Sequence, residues 1–271
     1  MPEQSPWQLR QWHMPHALNC LDGCPNGVQV WRVDLDCTES VRTELYTYLS
    51  LDERDRAARF RFDHHRHHFV VARGFLRLIL AAYTGQSPAS LEFSYGDRGK
   101  PFLVSPAVPP ASHSPVYFNL SHAAGIALYA VSGDRPVGID VESIRPVSSV
   151  TGLAQRFFFH EEYAVIQNLP PAQQEAVFFR GWTRKEAYLK ATGDGLAGLE
   201  DIPATLLTPT SAHTHTQMSI GPNWWLTDIS LDPGFLGALV IGLTVSNGRG
   251  DRPTNPQIAP PPLQFFHLIP T

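Results

Sequence analysis

The stretch VGIDVES, residues 137–143, constrains the fold most, because it places two acids inside an otherwise apolar strand pattern. Successive side chains of a strand point to opposite faces. Asp140 and Glu142 therefore share one face, while Ile139 and Val141 face the core. Two unpaired acids on one face repel each other. The sequence thus predicts a strand whose acidic face is compensated by another group.

Two interpretations of these acids are open. In the first, carboxylates of unequal length converge on one hard cation such as Mg²⁺, which uses a few carboxylates together with water and substrate phosphates. In the second, the acids form the polar face of an edge strand or pair with neighbouring arginines such as Arg145. The first interpretation predicts a third acid and a substrate that carries phosphate.

The segment FRGWTRKEAYLK, residues 179–190, offers that third acid. One stripe of a helix here would contain Phe179, Trp182, Glu186 and Lys190. A surface pair between Glu186 and Lys190 is the simpler alternative. The large aromatic neighbours favour a crevice instead, and Gly181 in mid-helix predicts close packing.

Composition excludes several classes of protein. A net charge of −4 over 271 residues argues against a general nucleic-acid-binding protein, and 43% hydrophobic residues are enough for a large core. Because no signal-like start and no run of about eighteen apolar residues occur, we expect a cytoplasmic protein that does not contact membranes. Cys20, Cys24 and Cys37 form no CxxC pair, so free thiols are favoured over a zinc site.

The periodicities predict an α+β fold. Helices are expected from Ser50 to Tyr83, across 151–169 with a break near His160, and across 172–192. Strands are expected at 28–36, 91–103, 116–122, 125–132, 137–143, 224–231 and 236–243, with a helix soon after the first. We divide the chain into an N-terminal half (1–134), a C-terminal half with the acidic site (135–246) and a proline-rich tail (247–271), whose terminal FFHLI docks on the body.

Four blocks occur in a characteristic order: FNLSHAAGIALYAVS, VGIDVES, FFFHEEY and WTRKEAYLKATGDGL. With SLDERDRAARF, GDRGKPFL and DISLDPGFLGALVI, they strongly resemble the 4'-phosphopantetheinyl transferases of the Sfp type across roughly residues 50 to 241. The GID-x-E and W-x-x-KE-x-x-x-K signatures are specific together and weak singly.

This resemblance implies two similar α/β halves, related by pseudo-twofold symmetry, that bind coenzyme A in the cleft between them. The implied reaction moves phosphopantetheine from coenzyme A to a serine of an apo acyl or peptidyl carrier protein and releases adenosine 3',5'-bisphosphate. The positions that match the family's Mg²⁺ ligands are Asp140, Glu142 and Glu186. Lys190 matches the lysine that contacts the transferring phosphate, Glu186 is our first choice as base, and Glu162 is a secondary catalytic contributor.

The 3'-phosphate of coenzyme A requires cations near the adenosine end. Candidates for coenzyme A binding are Arg56, Arg73, Lys100, Ser121 and His122, together with Lys190. Arg73 and Lys100 are alternatively solvated surface residues. Glu53 and His68 stand near positions where some members carry lysine and arginine, which predicts a phosphate clamp that uses different residues in this chain. A metal site at His64 and His68 is a further, weaker alternative.

Two other functions compete with the transferase. A catalytically silent module that binds coenzyme A or carrier proteins would be favoured by loss of an acid or the lysine, yet all four are present. A different Mg²⁺-dependent phosphoryl transferase lacks support, since no GxxxxGK[ST] loop occurs. Acidic carrier domains predict arginines and aromatic residues such as those at 157–159 near the site mouth. We expect a monomer; the pathway (fatty acid, polyketide or nonribosomal peptide) and the choice between Mg²⁺ and Mn²⁺ stay open.

Overall fold

The computed structural model describes residues 7–12, 27–104, 116–203, 205–243 and 262–270. Its α-helices are α1 (Glu39–Tyr48), α2 (Leu51–Ala58), α3 (Asp63–Thr84), α4 (Val150–Phe157), α5 (His160–Gln167) and α6 (Pro171–Thr192). Its first strands are β1 (Gln8–Trp12), β2 (Val28–Asp34), β3 (Phe93–Tyr95), β4 (Pro101–Leu103), β5 (Tyr117–Ala123) and β6 (Ile126–Ser132). The later strands are β7 (Val137–Ser143), β8 (Gln217–Ile220), β9 (Trp224–Ile229), β10 (Phe235–Gly242) and β11 (Leu263–Pro270). The predicted α+β class is confirmed.

The first sheet contains a strand from each end of the chain. Its order is β1-β11-β2-β6-β5, in which β11 runs parallel to both β1 and β2 while β2, β6 and β5 are antiparallel. The expectation that FFHLI docks on the body is confirmed. The segment 247–271 is therefore not a tail throughout, because its residues 263–270 are a strand of the first sheet. Cys20 and Cys24, for which free thiols are predicted, lie outside the described residues, whereas Cys37 is free and half-buried.

The second sheet holds the acidic strand at its edge. Its order is β7-β10-β9-β8, and every neighbouring pair is antiparallel. The predicted strands at 224–231 and 236–243 become β9 and β10, joined by a turn at Asp232–Phe235 in which Gly234 has φ 94°. Strand β8 has a short, mostly exposed sequence and was not predicted.

The helices end where the sequence predicts. Helix α3 ends at Thr84 with Gly85 in the left-handed region, and α6 ends at Thr192 with Gly193 in the same conformation. The predicted break near His160 separates α4 from α5, which begins at that residue. Gly181 has the predicted close packing, because a Cβ there would lie 2.4 Å from Phe158 Cε1.

Apolar packing joins the elements into layers. Helix α3 packs through Val71, Phe75 and Ile79 in a buried cluster with residues of the first sheet. A second cluster contains Val30 of the first sheet and Ile139 of β7, and both side chains are fully buried. Side chains of the two sheets thus pack in one cluster, and β7 lies beside β5.

Helix α6 lies unusually close to β7 at Gly138. A Cβ at this glycine would lie 2.1 Å from Ala187 O and 2.2 Å from Ala191 N, both backbone atoms of α6. No side chain fits there without moving the helix. The glycine therefore brings α6 within reach of the acidic face of β7.

We expect Gly138→Ala to lower the free energy of unfolding by about 2 kcal/mol or more, because the added methyl group must displace α6. Gly96→Ala is the matched control, since its Cβ would meet only Lys100 O, at 3.8 Å, and we expect a change within about 0.5 kcal/mol. Urea denaturation of both variants measures the difference. Equal stability of the two variants would contradict the close contact at Gly138.

Candidate active site

The three predicted acids come from two adjacent elements. Asp140 and Glu142 lie on β7, and Glu186 lies on the face of α6 that packs against this strand. Asp140 is buried, with 4% of its surface exposed, while Glu142 and Glu186 are partly buried. Alternation along β7 and the helical stripe of α6 place these side chains as the sequence predicted.

Asp140 is the centre of a hydrogen-bond triangle. Its Oδ1 accepts from Ser121 Oγ at 2.8 Å and from Lys190 Nζ at 2.6 Å, and Lys190 Nζ also donates to Ser121 Oγ at 3.0 Å. The other oxygen of Asp140, Oδ2, is buried and has no hydrogen-bond partner among the described residues. A buried carboxylate oxygen without a donor is costly unless a ligand or a proton completes it.

Burial and mutual repulsion raise the pKa values of two acids. Burial is the main cause that raises the pKa of Glu186, with further increases from the charges of Asp140 and Glu142 and a decrease from Lys190. Burial also raises the pKa of Asp140, against the lowering effects of Lys190 and Ser121. The three carboxylates thus act on one another electrostatically and favour an added positive charge.

Glu142 has a partner from the protein itself. Arg145 Nη1 donates to Glu142 Oε2 at 2.7 Å and to Ser143 O at 3.1 Å. Its guanidinium carbon lies 4.8 Å from the ring centroid of Phe179. The second interpretation of the paired acids, an ion pair with Arg145, therefore holds for Glu142.

The donor set fits a hard divalent cation. Carboxylate oxygens are the protein ligands that Mg²⁺ prefers, and Asp140 Oδ2 lacks a donor. Among the described residues no three His, Cys, Asp or Glu side chains already stand together as a metal site. Two of the predicted acids are instead paired with protein cations, Asp140 with Lys190 and Glu142 with Arg145.

A group of basic side chains lies beside the triangle. His122, next to Ser121 on β5, is exposed, but the protein atoms around it partly desolvate the ring and lower its pKa. The positive charges of Lys190, His68 and Arg56 lower this pKa further. His68 Nε2 lies 3.0 Å from Asp36 Oδ1. The predicted residues Arg56, Ser121, His122 and Lys190 are thus neighbours, as anion binding requires.

Arg56 also lines an open pocket of about 590 Å³ between α2 and α3. Its guanidinium carbon lies 5.4 Å from the ring centroid of Phe69. Arg59, Arg73 and Tyr95 are further lining residues. Asp52, Glu53 and Asp55 also line the pocket, so its surface carries both signs of charge. A polar ligand group would meet the arginines at Arg56 and Arg59, since Arg73 is paired with Glu53.

Arg73 is buried rather than solvated. Its Nε donates to Glu53 Oε1 at 2.8 Å, and Arg77 Nε donates to Glu53 Oε2 at 2.7 Å. Glu53 Oε2 also accepts from Ser50 N, so Glu53 is the N3 member of the capping box in which Ser50 is the N-cap of α2. The carboxylate of Glu53 is therefore paired with two arginines, at a position near which some family members carry lysine. The role of Arg73 in coenzyme A binding stays a prediction.

Lys100 contacts β7 and α6 instead of extending into solvent. Its Nζ donates to Ala191 O at 2.8 Å and to Val137 O at 3.3 Å, and burial lowers its pKa to about 8. Lys100 lines a mostly apolar cavity of about 230 Å³ that Glu186 and Lys190 also line. The cavity thus opens beside the predicted reacting groups.

Glu162 is fully buried. Its Oε2 lies 2.7 Å from Lys185 Nζ and accepts from Phe159 N at 3.0 Å, while its Oε1 accepts from Leu206 N at 2.8 Å. Lys185 precedes Glu186 on α6, so Glu162 is linked to the site through one residue. Direct contact with substrate does not fit this burial, and the catalytic role of Glu162 stays a prediction.

Sequence analysis missed Asn119 and Lys185. Asn119 Oδ1 accepts from Ile139 N at 2.8 Å and so joins the edges of β5 and β7. The alternation of β5 puts Asn119 on the same face as Ser121, which is the signal that could have identified it. For Lys185 the helical pattern gives no signal, because its acid partner lies 23 residues away in sequence.

We expect Glu186→Gln to stabilise the metal-free protein at pH 8 by on the order of 1 kcal/mol, or a few degrees in Tm. The native pKa of Glu186 is raised above the unfolded value, so ionisation of this group destabilises the folded protein. This loss of stability is absent at pH values below the unfolded pKa and is complete at pH values above the native pKa. The gain in Tm should therefore shrink at pH 5. Glu161→Gln, at an exposed position on α5, is the control. A lower Tm for Glu186→Gln at pH 8 would contradict the repulsion.

Comparison with known proteins agrees with this geometry. Residues 36–133 match the family model "4'-phosphopantetheinyl transferase, N-terminal", and residues 136–230 match "4'-phosphopantetheinyl transferase superfamily". The chain is 44% identical to the 4'-phosphopantetheinyl transferase HetI of Nostoc sp. strain PCC 7120, over 79% of this chain and 87% of that protein.

Two Bacillus proteins are also similar. A 4'-phosphopantetheinyl transferase of Bacillus subtilis is 32% identical over 55% of this chain and 62% of its own length. The 4'-phosphopantetheinyl transferase psf-1 of Bacillus pumilus is 34% identical over 60% of this chain and 66% of its own length. With the acids, the lysine and the serine in place around Asp140, the chain belongs to the 4'-phosphopantetheinyl transferase superfamily.

Proposed function

We propose that this chain transfers 4'-phosphopantetheine from coenzyme A to a serine hydroxyl of an apo acyl or peptidyl carrier protein. The observation that carries this proposal is the triangle of Ser121, Asp140 and Lys190 beside Glu142 and Glu186. Homologues across both halves are named as 4'-phosphopantetheinyl transferases, which supports the same activity here.

In the proposed reaction the serine oxygen of the carrier attacks the phosphorus next to pantetheine. The bond from this phosphorus to the bridging oxygen breaks, and adenosine 3',5'-bisphosphate leaves. Glu186 accepts the serine proton, a role that its raised pKa supports. Lys190 donates a hydrogen bond to the transferring phosphate, from a position beside Ser121 where it is already held.

Asp140, Glu142 and Glu186 would hold the divalent cation in our proposal. When bound, Mg²⁺ neutralises negative charge on the diphosphate oxygens. The buried Asp140 Oδ2 without a donor supports this assignment. Glu162 contributes indirectly, since its ion pair with Lys185 fixes the part of α6 that carries Glu186.

Coenzyme A would lie along the line from Lys190 to the pocket at Arg56. Ser121, His122 and Arg56 face its phosphates, and their shared electrostatic neighbourhood supports this. Lys100 lines the small cavity beside Glu186 and would border the pantetheine end. Arg73 lines the same pocket and would reach coenzyme A from there, although its guanidinium is paired with Glu53.

Two similar halves within one chain would form this cleft, so a monomer suffices. In support, each half contains a 22-residue helix that ends at a left-handed glycine, α3 at Gly85 and α6 at Gly193. The two family matches meet between residues 133 and 136, close to the proposed boundary at 134. No helix in the described part of the chain has the length and apolarity to cross a membrane.

The carrier protein would approach the rim near Arg145 and α4. Arg156 lies over Phe157, with its guanidinium carbon 5.0 Å from the ring centroid, and offers a cation beside an aromatic ring. Phe158 is buried in the core and does not belong to this surface. Exposed arginines fit the acidic surface expected of a carrier domain.

Intact-mass spectrometry of an apo carrier protein tests the reaction. After incubation with this protein, coenzyme A and Mg²⁺, we expect the carrier to gain the mass of one phosphopantetheine. A chelator or Glu186→Gln should abolish the gain, and Lys190→Met should slow it by about 10²–10³-fold. A panel of fatty-acid, polyketide and nonribosomal-peptide carriers identifies the substrate class. Unmodified carriers throughout the panel, with coenzyme A still bound, would show a silent binding module instead.

A second experiment tests the phosphate clamp. We expect the wild-type kcat/KM for coenzyme A to exceed that for 3'-dephospho-coenzyme A by about tenfold or more, as for a charge-assisted contact. Arg56→Gln should reduce this ratio toward one, because Arg56 would face the 3'-phosphate. Arg61→Gln is the matched control, since Arg61 is exposed and contacts the ring of Phe62. An unchanged ratio in Arg56→Gln would remove Arg56 from the clamp.

A further inference from the structure

We propose that Arg145 is an internal counter-ion that competes with the divalent cation for Glu142 and so sets the metal affinity of the site. This inference rests on the proposed function, because it assumes that Asp140, Glu142 and Glu186 bind the cation. It concerns a residue outside the three acids and Lys190.

Three contacts hold the guanidinium of Arg145 in place beside Glu142. Its Nη1 donates to Glu142 Oε2 at 2.7 Å and to Ser143 O at 3.1 Å. Its guanidinium also lies over the ring of Phe179, a buried residue of α6, at 4.8 Å. Arg145 is thus anchored on the carboxylate by the strand end and by the helix, rather than free to leave at no cost.

The charge balance of the site makes this contact consequential. Three carboxylates face two protein cations, with Lys190 on Asp140 and Arg145 on Glu142. The side chain of Lys190 is 29% exposed and contacts both Asp140 and Ser121, whereas that of Arg145 is 53% exposed. Arg145 is therefore the counter-ion that an incoming cation can displace into solvent.

Competition for one carboxylate has a defined thermodynamic effect. A cation that binds Glu142 either displaces Arg145 from Oε2 or binds Oε1 against the repulsion of the nearby guanidinium. In both cases the interaction of Arg145 with Glu142 lowers the metal affinity. Partly exposed pairs contribute modestly and are screened by salt. Removing Arg145 should therefore tighten Mg²⁺ binding by about two- to fivefold at low ionic strength, and the difference should shrink in high salt.

Isothermal titration of the full chain with MgCl₂, without coenzyme A or carrier, tests the proposal. We expect Arg145→Gln to lower the Kd for Mg²⁺ about two- to fivefold in low salt and by less in 0.5 M KCl. Arg156→Gln is the matched control, because Arg156 is also stacked on a phenylalanine but has no ion pair with a described acid. Its Kd should stay at the wild-type value.

Further variants make each outcome interpretable. Arg145→Lys keeps the charge but loses the planar stack on Phe179, and its Kd should lie between those of wild type and Arg145→Gln. A Kd for Arg145→Gln equal to or above the wild-type value, in a folded protein, would overturn the competition. If neither wild type nor Arg145→Gln binds Mg²⁺, the proposed metal site itself is wrong. That outcome differs from Mg²⁺ binding that Arg145→Gln leaves unchanged or weakens, which overturns only the competition.

Discussion

The approach of helix α6 to strand β7 at Gly138 is the contact on which the candidate site depends. Because this residue has no Cβ, backbone atoms of Ala187 and Ala191 come against the strand. Glu186 and Lys190 lie on the same helical turns, and Lys190 thereby reaches the carboxylate of Asp140. A bulkier residue at this one position would separate the acid of the helix from the acids of the strand.

The number of carboxylate oxygens with a donor distinguishes the structural acids from Asp140. Glu53 and Glu162 are buried, and each caps a helix and pairs with a basic side chain. Asp228 likewise pairs with two arginines. Its Oδ1 accepts from Arg184 Nε at 2.9 Å, and its Oδ2 accepts from Arg180 Nη1. In contrast, one buried oxygen of Asp140 has no donor, and burial raises the pKa of this carboxyl group. Incomplete compensation of a buried acid is expected where a ligand completes it.

Much of the fold and of the site could be predicted from local patterns. Alternation in 137–143 and the helical stripe of 179–190 placed the acids and Lys190 correctly, because both periods are properties of the backbone alone. The partners of these residues could not be predicted in the same way. Asn119 joins β5 to β7, and Lys100 contacts backbone carbonyls 37 and 91 residues away in sequence. Such contacts depend on how elements pack, which no local window contains.

The sequence by itself determined the α+β class, the helix ends at Gly85 and Gly193, and the identity of the acidic face, since propensity, periodicity and left-handed glycines act locally. Tertiary structure decided how the charges are used. It paired Glu53 with Arg73 and Arg77, placed residues 263–270 between β1 and β2, and set Arg145 against Glu142. Electrostatic compensation and strand order depend on distances between segments remote in sequence, and only the packed fold fixes those distances.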